Sequence, residues 1–305
     1  VIFEISENNQ SDYEEAATKL NNMPEVKLVV IEHEFGIYGE HAGHNINIFL
    51  EKIKKPIAIT LHTVLPTPST EVYEVMQKII NRVDRIIVMT QTSKNILESV
   101  YGANPLKIRV IPHGIHPIAY SDGRIAKQKL NFPNKKIIST FGFLSRGKGI
   151  EYGIEAMSKI ITAHPDTLYL IIGETHPVVY KQEGESYREE LVKQVERLGI
   201  TDHVVFVNKF LPTKDLLEYL EATDIYLSLS QNPDQAVSGT FTYALGTGRP
   251  VISTPFMQAK DTLTEELGRI IKFNDSDSIA EEVINLLNDP GRLINMGKAA
   301  YFRTR

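Results

Sequence analysis

The sequence contains no cysteine and no tryptophan among its 305 residues. The lack of cysteine excludes a disulfide framework and a thiolate metal site, and it fits a reducing compartment. No apolar run approaches the ~18 residues that a membrane-spanning helix needs, and no secretory signal peptide is recognisable. From these features we expect a cytoplasmic protein.

The sequence also lacks an excess of basic residues: it has 33 Lys and Arg and 38 Asp and Glu, which gives a net charge of -5. No charge block is long enough to form a nucleic-acid-binding arm, so nucleic acid is not expected as a partner. The nine histidines include no pair at i, i+4 spacing, and no metal site is predicted. Asp275-Ser276-Asp277 is better explained as a helix cap than as a metal motif.

Apolar strands and amphipathic helices alternate along the sequence. Apolar runs, interrupted by Lys27 in the first, predict strands at residues 26–31, 56–61 and 85–89, and the alternation predicts further strands at 136–141, 168–172, 204–207, 224–229 and 251–254. Such runs are typical of parallel sheets that are covered on both faces. The expected fold is therefore α/β, with two doubly wound, Rossmann-like parallel-sheet domains. A Pro- and Gly-containing stretch at 116–133 interrupts the alternation, and we place the boundary between domains 1–117 and 118–305.

Helix starts are predicted from capping signals. Thr67 before Pro68 predicts an N-cap with proline in the first turn. Ser-x-x-Glu boxes predict three further helix starts, at Ser11, Ser186 and Ser278.

The first of two strand–loop–helix junctions is the segment FGFLSRGKG at residues 141–149. Glycine lets the backbone approach an anion closely, and the helix that follows adds the positive end of its dipole. With Gly142, Arg146 and Lys148, this junction is a predicted phosphate site. It nearly matches a P-loop, but Gly149 stands where the magnesium-binding Ser or Thr belongs. A tight turn with incidental basic residues is the alternative interpretation.

The second junction, residues 230–240, follows the predicted strand at 224–229. Backbone amides of Ser238, Gly239 and Thr240 at a helix start are suited to an anion, although a simple helix cap also explains them. Two anion-binding helix starts in one domain indicate a ligand that contains a diphosphate.

The order of several longer segments indicates a family. FGFLSRGKGIEYGIEA, LYLIIGETHP, LGITDHVVFVNKFLPTKDLLEYLEATDIYLSLS and SGTFTYALGTGRPVIST resemble the donor domain of family-4 retaining glycosyltransferases of the GT-B fold. ITLHTVLP, VDRIIVMTQTSKNIL and KIRVIPHGI extend the resemblance to the first domain. The resemblance implies two domains facing across a cleft, the first on the acceptor side and the second binding the nucleotide-sugar donor.

The resemblance also implies roles for individual residues. Lys148 matches a lysine that contacts the donor diphosphate, whereas Phe143 replaces an arginine for which Arg146 is the nearest substitute. Two glutamates of the second junction, one on the donor sugar and one on the ribose, are replaced by Gln235 and Tyr243.

In the first domain, His62 matches a histidine that faces the donor sugar, and His33 and Glu34 are expected on the acceptor side. The predicted catalytic residues are therefore His62, Lys148 and Gln235. The other predicted donor-binding residues are Gly142, Arg146, Ser238, Gly239, Thr240 and Tyr243.

The implied reaction moves a hexosyl group, of the mannose or glucose type, from a nucleotide-diphosphate sugar to an acceptor hydroxyl with retention. No cofactor or metal is expected. The expected acceptor is a glycan or a lipid-linked molecule, and peripheral membrane contact is a further prediction. Two alternatives stay open, namely a GT-B-like epimerase or phosphorylase, and a degenerate nucleotide-sugar-binding module without turnover.

Residues 1–5 predict a strand that is already under way at the first residue. The resemblance implies a further strand and a glycine-rich loop before this point, so we expect a fragment with an incomplete first sheet. Such a chain is expected to bind donor but to turn over poorly. An exposed sheet edge favours pairing with another chain, which makes dimerisation a prediction.

Overall fold

A computed structural model describes residues 3–304 of the chain, and its contacts divide the chain into two units. Unit 1 extends to His113 and includes Asp234–Val237, whereas unit 2 comprises Gly114–Pro233 and the residues from Ser238 onward. The predicted boundary, after residue 117, lies slightly later in the chain. The four residues of unit 1 that come from the second junction were not foreseen from the sequence.

Unit 1 is built on four parallel strands in the order β1-β2-β3-β4. Its elements are α1 (Gln10–Asn21), β1 (Val29–His33), a 3-10 turn (Phe35–Ile37), α2 (Glu40–Gly43), α3 (Ile46–Lys52), β2 (Ile57–Leu61), α4 (Thr70–Arg82), β3 (Arg85–Val88), α5 (Gln91–Ser99), a 3-10 turn (Pro105–Lys107) and β4 (Ile108–Val110). The core contains Ile57, Ile59 and Ile86 from the strands with Met76 and Ile79 from α4, and all five side chains are fully buried.

The first strand, β1, forms one edge of this sheet and has one open face. Successive strand residues point to opposite faces, and here Ile31 is buried while Val30 is 59% exposed. The strand predicted over residues 1–5 is wrong for its described part, because residues 3–6 form no strand. Val1 and Ile2 lie outside the described residues.

Unit 2 is built on six parallel strands in the order β10-β9-β8-β5-β6-β7. Its elements are α6 (Arg124–Lys129), β5 (Lys136–Phe141), a 3-10 turn (Arg146–Lys148), α7 (Ile150–Ala163), β6 (Thr167–Ile172), α8 (Pro177–Glu183), α9 (Ser186–Arg197), a 3-10 turn (Thr201–His203), β7 (Val204–Val207), α10 (Thr213–Ala222), β8 (Ile225–Ser228), α11 (Gly239–Gly246), β9 (Val251–Ser253), α12 (Met257–Thr262), β10 (Gly268–Ile270), α13 (Ser276–Asn288) and α14 (Pro290–Arg303).

Separate apolar clusters cover the two faces of this sheet. One cluster joins strand residues to α7, α9 and α13, and the other joins them to α6, α10, α11 and α12. Two parallel-sheet α/β units are thus observed, as predicted. No helix within residues 3–304 has the length and the apolar character that crossing a bilayer requires.

The predicted helix caps are displaced. Helix α4 begins at Thr70, and its N-cap is Ser69, whose side chain accepts from the Val72 amide, so the prediction of Thr67 is wrong. In the capping boxes, the predicted serines lie inside the first turn; Asn9 and Asp275 cap α1 and α13 through their side chains, whereas Glu185 before α9 makes no side-chain capping bond. Helices α1, α9 and α13 are preceded by the N-caps Asn9, Glu185 and Asp275 rather than by Ser11, Ser186 and Ser278. Asp275 accepts from the Ser278 amide at 2.9 Å, so its capping role is confirmed.

Candidate functional site

The strand order of unit 2 reverses between β5 and β8, which pair directly. In open parallel sheets, ligands bind outside the carboxyl ends of the strands at such a reversal. The first junction leaves β5 and the second leaves β8. Both predicted anion sites therefore lie at the one place in this sheet where the topology favours a ligand.

Glycines of the first junction let the second junction approach closely. A Cβ on Gly142 would lie 3.1 Å from Thr240 Cγ2, and one on Gly149 would collide with Gln231. The Gln231 amide also donates to the Gly147 carbonyl at 2.9 Å. The two junctions therefore form a single site.

The cation at this site is Lys148, which ends a short 3-10 turn and is half-buried. Burial lowers the pKa of its ammonium group. In the described part of the chain, no carboxylate lies within ion-pairing distance of Lys148. An anionic ligand would stabilise this desolvated ammonium group, because a nearby opposite charge favours its protonated, charged form.

Arg146 is held by two carboxylates instead. Its guanidinium donates to Glu190 at 2.6 and 2.8 Å and to Glu183 at 3.1 Å, and it lies over the Tyr187 ring. The bonds to Glu190 and then Glu183 raise the pKa of Arg146. Since its charge is already matched, these contacts favour a structural role and do not support the prediction that Arg146 replaces a diphosphate-binding arginine.

The second junction offers fewer amides than predicted. Ser238 caps α11 by accepting from the Phe241 amide at 3.3 Å, while its own amide donates to Gln258 Oε1 at 2.5 Å. The prediction is thus corrected for Ser238, because its N–H already has a partner. The amides of Gly239 and Thr240 lie in the first turn, where a helix supplies no carbonyl acceptor of its own. These two groups are available to an anion.

Tyr243 pairs with a residue that the sequence did not single out. Its hydroxyl lies 3.1 Å from Nε2 of His116, and its ring stacks on Phe141. His116 was predicted only as part of the linker between the domains, and no local signal marks its contact with a helix 127 residues later. Gln235 donates through Nε2 to the Val237 carbonyl at 3.0 Å.

Phe143 belongs to an aromatic cluster rather than to a phosphate site. It stacks on Phe210 with 5.9 Å between ring centroids and meets the edge of His176 at 5.6 Å. Phe210 is 71% exposed. The position at which the family resemblance implies an arginine therefore presents an apolar ring.

In unit 1, His62 directly follows β2 and pairs with a carboxylate on β1. Its Nε2 lies 2.9 Å from Glu32 Oε2, and Thr60 donates to the other oxygen of Glu32 at 3.2 Å. Sequence reasoning missed Glu32, because only the pairing of Glu32 with Thr60 in the strand register brings it beside His62. Glu34 accepts from Thr63 at 2.7 Å and remains partly exposed.

His33 is fully buried and lies between two aromatic rings. Its centroid is 5.0 Å from that of Phe35 and 5.6 Å from that of Tyr38. Burial, with a smaller effect of His62, lowers the pKa of His33 to about 4, so the imidazole is neutral near pH 7. The prediction that His33 contacts an acceptor is corrected, because its ring does not reach the surface.

Metal ligands are not clustered in the described part of the chain: nowhere in residues 3–304 do three His, Cys, Asp or Glu side chains converge on one point that could hold an ion.

Family comparison matches both parts of the chain. The model described as Glycosyl transferases group 1 matches residues 122–303, and the model described as Glycosyltransferase Family 4 matches residues 12–117. The two matches follow one another in the order that the sequence motifs predict.

Two curated proteins are similar to most of this chain. A GDP-mannose-dependent monoacylated alpha-(1-6)-phosphatidylinositol monomannoside mannosyltransferase of Corynebacterium glutamicum is 26% identical over 235 residues, which cover 73% of this chain and 58% of the relative. A D-inositol 3-phosphate glycosyltransferase of Segniliparus rotundus is 23% identical over 264 residues, which cover 82% of this chain and 57% of the relative. The chain thus spans less than two thirds of the length of each.

Among solved structures, HepE of Anabaena in complex with UDP and glucose superimposes with a TM-score of 0.76. The match covers 96% of this chain and 76% of HepE at 18% identity. This likeness concerns the fold, and with the family matches it confirms the predicted GT-B class.

Proposed function

Because the chain belongs to the group 1 glycosyltransferases of the family-4 type, we propose that it transfers a hexosyl group from a nucleotide-diphosphate sugar to an acceptor hydroxyl. The sugar is of the mannose or glucose type, and its anomeric configuration is retained. The acceptor is a glycan or a lipid-linked molecule, and the reaction takes place in the cytoplasm.

The observation that carries this proposal is the pair of junctions at the strand-order reversal of unit 2. They combine a half-buried ammonium, Lys148, with the free first-turn amides of Gly239 and Thr240. Glycines at positions 142 and 149 keep both segments close. This combination suits a diphosphate, which carries several acceptor oxygens and negative charge.

In the proposed reaction, the bond between the anomeric carbon and the diphosphate oxygen breaks while the acceptor oxygen bonds to the same face of that carbon. The leaving diphosphate takes the acceptor proton, so that no protein nucleophile is needed. Negative charge grows on the diphosphate as the bond breaks. Lys148 and the amides of Gly239 and Thr240 stabilise that charge because they are oriented before the reaction begins.

Hydrogen-bonding side chains would recognise the sugar and the ribose. We assign Gln235 to the transferred sugar, since it stands at the position for which the resemblance implies a glutamate on that sugar, and its amide is a hydrogen-bonding group. We assign the hydroxyl of Tyr243, held by His116, to the ribose. His62 is assigned to the sugar as well, with Glu32 fixing the orientation of its ring.

A second candidate function is a nucleotide-sugar-binding module without turnover. Phe143, Gln235 and Tyr243 are uncharged at the three positions for which the resemblance implies an arginine and two glutamates. Loss of the arginine removes a positive charge that would stabilise the diphosphate as its negative charge grows, which weakens transition-state stabilisation more than ground-state binding.

A thermal-shift panel followed by a turnover assay tests both candidates. UDP, GDP, UDP-glucose and GDP-mannose are each added to the chain, and the midpoint of unfolding is compared with that of the free protein. Specific binding to the folded state raises the midpoint, and we expect a rise with at least one nucleotide and a further rise with its sugar. Release of nucleoside diphosphate in the presence of a glycan mixture then separates transfer from binding alone. If none of the four compounds stabilises the chain, the donor-site proposal fails.

A further inference from the structure

Unit 2 contains a pocket of about 400 Å³ at the amino ends of its central strands. Among its lining residues, Lys136 begins β5, and Asp224 and Pro250 directly precede β8 and β9. The two junctions leave β5 and β8 at their carboxyl ends, on the opposite edge of the sheet. The donor site therefore does not use this pocket, whose volume falls in the range of roughly 300–1,000 Å³ that small-molecule sites occupy.

The part of the lining that comes from α13 and α14 is apolar. Its side chains are Leu287, Pro290, Leu293 and Ile294. Helix α14 comes close to the backbone before β9 because it has glycine at position 297, where an added Cβ would lie 2.6 Å from the Gly248 carbonyl. Tyr120 adds an aromatic ring to the lining. An apolar or aromatic group of a ligand is therefore favoured here, since it leaves water for an apolar surface.

Arg249 is the charged residue of the lining that has no opposite charge beside it. It is only 5% exposed, and burial lowers the pKa of its guanidinium. The guanidinium donates to four backbone carbonyls at 2.7–3.1 Å, those of Ser121, Glu221, Thr223 and Thr247. Within residues 3–304, no carboxylate forms an ion pair with it. The carbonyls satisfy N–H groups without neutralising the charge, and of the five N–H groups of an arginine, one on Nη2 is not used by these bonds.

The other charged side chains of the lining are already paired. Asp122 and Arg124 pair with each other at 2.8 Å. Asp224 pairs with a lysine at 2.6 Å and Lys136 with an aspartate at 3.3 Å, and both of these partners lie outside the lining. The positive charge of Arg249 is therefore the one that the lining leaves unmatched. Because a nearby negative charge stabilises a desolvated cation, the pocket favours a ligand with an anionic group.

We infer that this pocket binds a small molecule with one anionic group, a carboxylate or a phosphate, on an apolar or aromatic body. The anionic group accepts from Arg249, and the body lies against the apolar side chains of α13 and α14. An inorganic anion alone leaves most of the volume unfilled. The inference does not depend on the proposed transferase reaction, because none of the lining residues belongs to the two junctions that would bind the diphosphate.

The direct test titrates the chain at pH 7 with three amphiphilic anions, namely benzoate, hexanoate and phenyl phosphate. Benzyl alcohol, which lacks the charge, and inorganic phosphate, which lacks the body, are the matched probes. Amide shifts of the ¹⁵N-labelled protein measure the affinity and locate the site. We expect at least one amphiphilic anion to shift the amides of residues 120–124, 247–249 and 293–297, and both matched probes to bind there at least tenfold more weakly. The comparison of benzoate with phenyl phosphate distinguishes a carboxylate site from a phosphate site.

Two substitutions at Ile294 isolate the effect of charge. Ile294 is 51% exposed, so the fold should tolerate both. Asp and Asn have nearly the same size, and we expect Ile294→Asp to bind the anion roughly fivefold or more weakly than Ile294→Asn does, because the new carboxylate repels it. Val178→Asp adds the same charge at a 53% exposed position on α8, outside the lining, and should bind as the parent does.

Arg249→Met removes the cation and should weaken the anion at least tenfold; should this variant fail to fold, the Ile294 pair decides. Lys148→Met should bind the anion as the parent does, because its missing charge belongs to the donor junction. The inference is overturned if no amphiphilic anion binds the parent chain, if benzyl alcohol binds as tightly as the anions, or if the two Ile294 variants bind equally well. Amide shifts confined to residues 142–149 and 238–240 would also overturn it, since they would place the anion at the two junctions.

Discussion

Lys148 presents a charge that the protein has buried without neutralising it. Lys148→Met keeps the length of the side chain but removes the ammonium group. We expect nucleoside-diphosphate binding to weaken by roughly 1.5–3 kcal/mol, the range for a hydrogen bond to a charged group. We also expect the free protein to be equally or more stable, since the desolvated charge is gone.

Calorimetric titration with UDP and GDP, together with thermal unfolding, measures both effects. Lys159→Met is the control, because Lys159 lies on α7 of the same unit but pairs with Asp277 at an exposed position. Unchanged nucleotide affinity in Lys148→Met would remove Lys148 from the donor site.

The lowered pKa of Lys148 also predicts a pH dependence. The folded group releases its proton at a lower pH than the unfolded group, so the unfolded chain binds more protons between the two pKa values. The contribution of Lys148 to the free energy of unfolding therefore rises with pH in this window, up to the ordinary lysine pKa of about 10.4. Nucleotide affinity falls over the same window, since the ligand needs the charged form. Urea unfolding and UDP titration from pH 7 to about pH 10 should show both trends in the parent and neither in Lys148→Met.

Gln235 and Tyr243 should act on different parts of the donor. Gln235→Ala is expected to weaken the binding of a sugar nucleotide more than that of the nucleoside diphosphate, because the amide is assigned to the sugar. Tyr243→Phe should weaken both by a similar factor, since it removes the hydroxyl that His116 holds. Parallel titrations with UDP-glucose and UDP, or with GDP-mannose and GDP, measure the loss of affinity for the sugar nucleotide and for the nucleoside diphosphate in each variant. Gln128→Ala, on the exposed surface of α6, serves as the control; an equal loss for both ligands in Gln235→Ala would place Gln235 away from the sugar.

The site role of a single residue could be predicted where a local sequence pattern surrounds that residue. Lys148 stood out because glycines and a helix start surround it in the sequence, and His62 because it follows an apolar strand. Glu32 and His116 were not predictable in this way. Their contacts join residues 30 and 127 positions apart, and such pairs exist only once the strands and the linker are placed.

At the scale of elements, the first junction depends on glycine at position 149. Gly149 has a φ of +63°, and an added Cβ would collide with the Leu229 carbonyl, which belongs to the backbone and cannot turn away. Gly149→Ala should therefore destabilise the chain by about 1–3 kcal/mol and weaken nucleotide binding. Gly147→Ala is a matched control two residues away, since a Cβ there meets nothing within 4 Å. Chemical unfolding and UDP titration of both variants make the comparison; similar stabilities would show that the junction has room to rearrange.

Strands were easier to predict than the ends of helices. Parallel strands such as β5 and β7 are short, largely apolar runs, and their predicted bounds agree with the structure. A helix start depends on which of several neighbouring polar side chains reaches a free amide. Ser69 rather than Thr67 does so for α4, although both residue types are favoured at N-caps. No local sequence pattern predicts that β5 pairs with β8. This pairing nevertheless brings the two junctions, which follow these strands, next to each other.

At the scale of the whole molecule, the chain is acidic, with a net charge of -5, yet its proposed ligand is an anion. Long-range attraction therefore cannot supply the binding energy, and the attraction has to come from groups within a few ångströms of the diphosphate, because salt screens charges beyond about 10 Å. Enzymes that bind diphosphates often use a divalent cation for this purpose, held by clustered carboxylates. No such cluster occurs within residues 3–304.

Donor binding should accordingly be independent of divalent metal. Lys148 and the first-turn amides of Gly239 and Thr240 provide the positive potential that a bound ion would otherwise supply. We expect the affinity for UDP or GDP to be the same within about twofold in 5 mM EDTA and in 5 mM Mg²⁺ (a difference of about 0.4 kcal/mol, near the limit of such titrations). Lys148→Met serves as the sensitive case, because a chain without its cation is the one most able to gain from added metal. A complete loss of nucleotide binding in EDTA by the parent chain would mean that an ion completes the site, and that the two junctions do not bind the diphosphate by themselves.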